Sequence, residues 1–376
     1  AHGTGKAGGT LVTSTPQKFQ RLPAEFFYAE ELSALRDNDL WARPPGWRMS
    51  PRCVEAFVLG DPEMGCSPKF VAPAKIVTRI IIALATQRGA MLVGDPGTAK
   101  SWLSELICAA ISDNSRIIVQ GGAVETVQQL LYTWNPAVLE RKGPCPEALI
   151  PGPLYRGMEQ GVLVRYEELA RSAPPLQDAL LSIMSERCIS IPELQGKDAL
   201  LQAREGFNLI GTSNTTDQGV NAISFALKRR MNFETIAPID NLEDEVEVVM
   251  REAHKLLLGS GINVKPDKDI VRVLVTMFHE LRNGRSLDGR STDRLACAVM
   301  STAEAVSVAH AMGVYACYYR DDSMQAEDLV NFLLGAAIKD DPTDLKRLGH
   351  YFDTEIALRK GAIWETVYRC WCDRAR

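Results

Sequence analysis

The stretch Gly94-Asp95-Pro96-Gly97-Thr98-Ala99-Lys100-Ser101 constrains this chain more than any other. It follows the apolar run Gly89-Ala90-Met91-Leu92-Val93 and opens an amphipathic helix read over Lys100–Ser112. A Gly/Pro turn between a strand and a helix, closing on Lys-Ser, is the context of a phosphate-binding loop. Backbone amides of the loop and of the helix N-terminus would face phosphate oxygens. Lys100 would reach the β- and γ-phosphates, and the Ser101 hydroxyl would ligate Mg2+. With Trp102, the next residue, the loop makes up the expected nucleotide contact. Ala99 stands where the general GxxxxGK[ST] pattern has its second glycine; alanine still permits a tight turn if its φ is negative.

Further acids and amides fall where such a loop would need them. Glu167-Glu168 ends the apolar run Val162–Tyr166. In phosphate-loop ATPases one acid at a strand tip orders the Mg2+ shell and the next polarises the attacking water. The usual first acid is Asp; the longer Glu167 side chain can still reach a metal-bound water. A strand read over Phe207–Thr212 runs into Asn214, whose amide could orient that water; its plain alternative is a capping Asn in a turn. Phe225-Ala226-Leu227-Lys228-Arg229-Arg230-Met231-Asn232-Phe233 sets three cations among apolar residues. One guanidinium there could reach a neighbouring subunit's γ-phosphate. Arg294, with Arg290 as its competitor, could contact the nucleotide from the C-terminal part of the chain.

Around these motifs the pattern organises into parts. From 71 to about 240, strands and helices alternate: helices over Pro73–Gln87 and Leu176–Arg187, strands at Arg116–Val119 and in the runs above, and a hairpin-like segment over Cys188–Leu201. That alternation predicts an α/β domain with a mainly parallel sheet. From 241 to 376 the strand signals fade, and helices are read over Glu243–Leu258, Asp267–Arg282, Thr292–Met312, Ala326–Ile338 and Leu345–Arg359. Residues 1–70 form a tail and a helical extension, with one helix over Glu25–Arg36 and another capped by Ser50 with Pro51 at its first position, ending near Gly60. A length of 376 residues suits about two domains of ordinary size.

Composition excludes some function classes. The net charge is −5, and residues 241–376 carry −4 of it, which leaves little electrostatic footing for nucleic acid. Arg79 and Arg88 interrupt the longest apolar run near the N-terminus, Ile76–Val93, so it does not read as a spanning helix. Ala1–Thr15 lacks an apolar signal-peptide core. Nine cysteines without a CxxC pair read as free thiols in a reducing cytosol, so the expected location is cytoplasmic. His254, His279 and His310 sit in helical patterns and read as satisfied or surface side chains.

In this order, the parts resemble the AAA+ ATPases, and within them the MoxR-like and dynein-related group, over roughly residues 50–340. Gly94–Ser101 looks like that group's Walker A, which often has Ala before the Lys. Pro151-Gly152-Pro153-Leu154, then Gly161–Leu169, look like the approach to Walker B, and Arg171–Leu181 resembles the segment after it. The resemblance puts Glu167 at the Walker B Asp position, Glu168 at the catalytic Glu position, Asn214 at sensor 1, Arg230 at the arginine finger with Arg229 beside it, and Arg294 at the lid sensor. Gln120–Ile150 looks like the group's helix 2 insertion, and Cys188–Leu201 like the hairpin that faces the central pore. It implies a P-loop AAA+ core with a parallel sheet flanked by helices, plus a C-terminal all-helical lid. It further implies ATP and Mg2+, a homo-oligomeric ring, a hexamer, and a protein client. Trp47–Pro51 and Ser67–Val71 are similar to a bacterial subfamily commonly encoded near von Willebrand factor A domain proteins, which makes such a protein an expected partner.

Two competing readings remain at this level. A nucleic-acid translocase of the restriction type shares the sensor-to-finger stretch but needs a DNA-binding domain, and DNA-stimulated turnover would favour it. A scaffold that binds ATP without hydrolysing it would show no phosphate release.

Overall fold

The computed structural model describes residues 20–214, 221–295, 299–339 and 341–374; the tail Ala1–Thr15 and Cys297 lie outside them. Among the described residues the strands are β1 (Gly89–Gly94), β2 (Ile118–Gln120), β3 (Tyr132–Trp134), β4 (Leu149–Pro151), β5 (Leu163–Glu167), β6 (Cys188–Ser190), β7 (Leu200–Gln202), β8 (Asn208–Asn214) and β9 (Met231–Thr235). Five of them form one parallel sheet in the order β2-β5-β8-β1-β9. β3–β4 and β6–β7 are separate antiparallel ribbons, the first within the expected helix 2 insertion and the second at the expected hairpin. The connection leaving β1 passes over β8 and β5 to reach β2, so a crevice opens at the carboxyl ends of the central strands, where ligands of open α/β sheets sit.

Strand alternation sorts the core into two layers. Ala90, Leu92, Leu163 and Ile210 face helices Ala74–Leu84 and Lys100–Ser112. Met91, Val164 and Leu209 face helices Pro153–Gln160 and Pro174–Glu186. Helix Lys100–Ser112 is buried from Leu103 to Ser112. The sheet covers one side of it and the N-terminal helices Ala24–Phe27 and Pro51–Leu59 cover the other. A helix apolar nearly all round requires that double cover. Ser50 accepts the Cys53 N–H at 3.3 Å and caps its helix as read.

Several expectations are corrected. The single helix over Glu25–Arg36 is two, Ala24–Phe27 and Ala29–Asp37. Tyr28 breaks the run with φ −107° and ψ 27°, packing edge-on to Phe57 at 5.7 Å and accepting Lys255 Nζ at 3.0 Å. Phe26 and Phe27 are therefore about half exposed, while Leu32 and Leu35 are buried. β9 was not among the expected strands; it pairs with β1 and is tied to helix Ala74–Leu84 by a two-point Arg79–Glu234 ion pair at 2.7 and 2.6 Å.

The C-terminal part is helical: Leu242–Gly259, Lys268–Asn283, Thr302–Tyr319, Leu329–Ala337, Pro342–Thr354 and Ala362–Asp373. The helix expected to begin at Thr292 begins at Thr302. Met300 adopts a left-handed φ of +53°, which stops helical propagation, and Ser301 and Glu304 form a capping box that starts the helix afresh. The last helix was not expected; Trp371 stacks on Phe352 at 4.2 Å and closes the helical core. The eight described cysteines are free thiols. No helix among the described residues is long and apolar enough to cross a membrane.

Candidate functional site

The loop Gly94–Ser101 leaves the carboxyl end of β1 and turns into helix Lys100–Ser112 at the crevice. Gly97 has φ +79° and lies so close to Ser301 that a Cβ there would collide with the serine side chain. A Cβ on Gly94 would strike the Ile236 carbonyl. Only glycine fits these two positions, where neighbouring protein atoms pack directly against the loop backbone. Lys100 is buried, and its ammonium donates to the carbonyls of Gly94 at 3.0 Å and Asp95 at 2.7 Å. Thr98 Oγ1 donates to Asp95 O at 2.9 Å and pins the turn.

Ala99 corrects the expected negative φ: it sits at φ +59°, ψ 30°, left-handed, immediately before the helix. A non-glycine residue there costs roughly 1–2 kcal/mol. The Leu103 N–H bonded to the Ala99 carbonyl at 3.0 Å helps to hold the strained turn. Such strain persists where surrounding structure over-determines the backbone.

β5 delivers the paired acids. Glu167 is 3% exposed and forms the hub of the site. Its Oε2 accepts from Ser101 Oγ at 2.6 Å and Thr212 Oγ1 at 2.6 Å. Its Oε1 accepts from Ser104 Oγ at 2.8 Å and Arg165 Nε at 3.1 Å. Burial pushes the Glu167 carboxyl up, but the Arg165 guanidinium and the three hydroxyls outweigh it and hold the carboxyl below its ordinary value. Glu168 leaves the strand at φ +53°, its N–H donating to Thr212 Oγ1 at 3.1 Å. Its carboxylate is half exposed and meets Arg171 Nε at 3.0 Å. Asn214 closes β8 directly opposite Gly94 in the sheet register.

Lys100, Ser101, Glu167, Glu168 and Asn214 therefore converge at one edge of the sheet. Arg294 lies on the helical side of the loop: with Arg282, Ser301 and Thr302 it lines a cleft of about 310 Å³ against Asp95–Thr98, and its Nη2 donates to the Asn283 carbonyl at 2.9 Å. Arg290 is instead drawn away to Glu355 at 2.8 Å. Trp102 faces the N-terminal helices: its indole N–H donates to Lys69 O at 3.3 Å, and Lys255 Nζ lies 4.8 Å from its ring. Arg229 and Arg230 are not in this cluster. The Arg230 carbonyl accepts from Gly89 N–H at 3.0 Å, at the amino end of β1. Five strand steps separate that end from the loop, about 17 Å. Arg230 Nε donates to Ser185 Oγ at 2.7 Å, and Arg229 lies over the Phe225 ring.

Arg165, Ser104 and Thr212 carry the hub but were absent from the expected site. Arg165 is 5% exposed and also donates to Ser101 O at 2.9 Å, Ser115 O at 3.2 Å and Glu105 Oε2 at 3.4 Å. An arginine inside an otherwise apolar strand was the available signal, since such a charge is buried only with partners. The donor set suits a small hard cation. Ser101 offers a hydroxyl and Glu167 an ionised carboxylate 2.6 Å from it, a pairing that Mg2+ accepts with the rest of its shell as water.

The low Glu167 carboxyl has a consequence for acid stability. Because its folded-state pKa lies below the unfolded one, it contributes stability that is full above about pH 4.5 and is lost as pH falls through the folded value. Glu245, held down in the same way by His279, Arg282 and Thr302, adds to this. Thermal melts are expected to hold steady from about pH 7 to pH 5 and drop steeply below about pH 4.5; a melting temperature unchanged down to about pH 3 would contradict the hub.

Comparison with known proteins gives the family. Residues 89–231 match the family model described as AAA domain (dynein-related subfamily), and residues 243–375 match the YehL-like AAA+ ATPase C-terminal domain. The chain is 46% identical over 351 residues to YehL of Escherichia coli, covering 93% of this chain and 96% of that one. It is 23% identical to the gas vesicle ATPase GvpN2 of Halobacterium salinarum over 73% of this chain and 77% of that one. To GvpN1 of the same organism it is 26% identical, over 64% and 68%.

Proposed function

The chain belongs to the YehL family of AAA+ ATPases, and on that footing we propose that it hydrolyses ATP between neighbouring copies of itself in a closed cytoplasmic ring, a hexamer, and uses the cycle to remodel a protein client. One observation carries the composite site: five polar side chains gather at the carboxyl edge of the sheet, while Arg229 and Arg230 sit at its amino edge, about 17 Å away. A head-to-tail contact between copies would bring the second set to the first.

Each residue then has a task. The loop amides and Lys100 bind the phosphate chain. Ser101 and Glu167 hold the metal and its waters. Mg2+, when bound there, would supply charge neutralisation on the phosphate chain. Glu168 takes a proton from the attacking water, Asn214 fixes that water's position, and Arg230 of the neighbouring copy stabilises the charge of the transition state. Arg294 contacts the nucleotide from the helical side, so turnover is coupled to movement of that part against the core. The relatives named gas vesicle ATPases support the hydrolytic reading. The acidic balance favours a protein client over nucleic acid, and the MoxR-like resemblance extends the proposal to a von Willebrand factor A domain partner.

The test is phosphate release by the intact chain and by Arg230→Ala. The variant is expected to bind ATP normally and to turn over about a thousandfold more slowly. Full-rate hydrolysis by Arg230→Ala would remove the composite site.

A further inference from the structure

The cleft against the phosphate loop holds two arginines, and the resemblance accounts for one. Arg282 lies in the last turn of helix Lys268–Asn283 and lines the cleft together with Gly97 and Thr98. Its side chain is nine-tenths buried. Glu245, fully buried in the first turn of helix Leu242–Gly259, grips it at two points: Nη1 donates to Oε1 at 2.9 Å and Nη2 to Oε2 at 2.7 Å. Nη1 also donates to the Met300 carbonyl at 3.0 Å. The buried Nε of Arg282 has no partner among the described residues.

Glu245 does not depend on Arg282 alone. Thr302 Oγ1 donates to it at 2.6 Å, and His279 Nδ1 lies 3.3 Å away. Burial opposes the Glu245 charge, and His279, Arg282 and Thr302 outweigh it. If the guanidinium were shared with another anion, the carboxylate would keep two contacts. Both Nη atoms of Arg282 are engaged, Nη2 also lying 3.3 Å from His279 Nδ1, so the guanidinium reaches an anion in the cleft only by loosening its hold on Glu245; its neighbour Ser301 presses on Gly97.

We infer that Arg282 is a second cation for the terminal phosphate, held in reserve by Glu245, and that the strength of this grip sets the preference for a nucleoside triphosphate over a diphosphate. The inference rests on the ATP-binding reading above. It makes Glu245 a counterweight: the tighter it holds the guanidinium, the weaker the pull on a γ-phosphate. Because a diphosphate lacks that group, the Arg282–Glu245 exchange acts on the triphosphate alone.

Titration calorimetry of the full chain with ADP and with the non-hydrolysable β,γ-imido analogue of ATP tests this. Arg282→Met is expected to weaken the analogue about tenfold and leave ADP within about twofold, the loss of one charge-assisted contact. Glu245→Gln, which keeps the side chain's shape and an acceptor, is expected to shift selectivity the other way, strengthening the analogue relative to ADP severalfold. A purely structural pair would move both variants in the same direction and affect both nucleotides alike, and that result overturns the inference. If Arg282→Met does not fold, the sign of the Glu245→Gln effect decides. Failure of the parent chain to bind either nucleotide would instead sink the ATP-binding reading, and this inference with it.

Discussion

Glu168→Gln is expected to bind ATP as the parent does and to release phosphate about a hundredfold or more slowly. On the proposed mechanism the task of the carboxylate is proton transfer. It lies at the end of β5 on a left-handed backbone of φ +53°, and its side chain is half exposed, with Arg171 Nε 3.0 Å from the carboxylate. Its side chain lies outside the loop Gly94–Ser101, and only its backbone N–H touches the Glu167 hub, through Thr212 Oγ1. Exchanging a carboxylate for an amide of the same shape removes the base and leaves packing intact, so the loss should fall on turnover and spare affinity. Equal losses in binding and turnover would mean that Glu168 has a structural task, and unchanged turnover would move the base elsewhere.

Arg165→Met is expected to cost about 3–5 kcal/mol of folding stability. The guanidinium is enclosed with two carboxylates, Glu167 at 3.0 Å and Glu105 at 3.4 Å, all three groups almost fully buried. Taking it away leaves Glu167 desolvated and without its cation, while Glu105 keeps Arg21 at 2.6 Å, and the hydroxyls of Ser101, Ser104 and Thr212 compensate only part of the Glu167 charge. Glu167 would protonate more readily, because Arg165 is the strongest influence holding it down, so the acid-induced loss of stability should begin at a higher pH. Denaturant unfolding measures the first effect and melts against pH the second. The double variant Arg165→Met with Glu167→Gln should recover part of the lost stability, since the stranded Glu167 charge is gone. An Arg165→Met chain within about 1 kcal/mol of the parent would show that the buried pair is not an anchor.

What is legible in the sequence follows from the range of the forces involved. Helix Lys100–Ser112, strand β1 and the loop between them are local: a glycine turn, a lysine, and a run of apolar residues specify them within about twenty residues. The acids at the end of β5 are legible for the same reason. Arg165 is not, because its meaning comes from Ser101, Ser104, Glu105 and Ser115, which sit some 50–64 positions away in the chain. β9 is hidden because its five residues follow a basic stretch without a turn signal, and only pairing with β1 makes them a strand. The late start of helix Thr302–Tyr319 was within reach: Ser301-Thr302-Ala303-Glu304 spells a capping box. The helical periodicity upstream masked it. The positive φ of Ala99 was not, since it depends on the loop's closure around Lys100 and on no property of alanine.

The composite site is the centre of this account, and mixing two defective chains tests it most directly. Glu168→Gln lacks the base but keeps Arg230; Arg230→Ala lacks the finger but keeps Glu168. Each alone is expected to be nearly inactive. In an equal mixture that exchanges subunits, roughly a quarter of head-to-tail contacts should pair an intact Glu168 with an intact Arg230. Phosphate release should then rise well above that of either variant alone. A mixture no more active than its separate components, in a preparation shown to exchange subunits, would contradict hydrolysis shared between neighbouring copies.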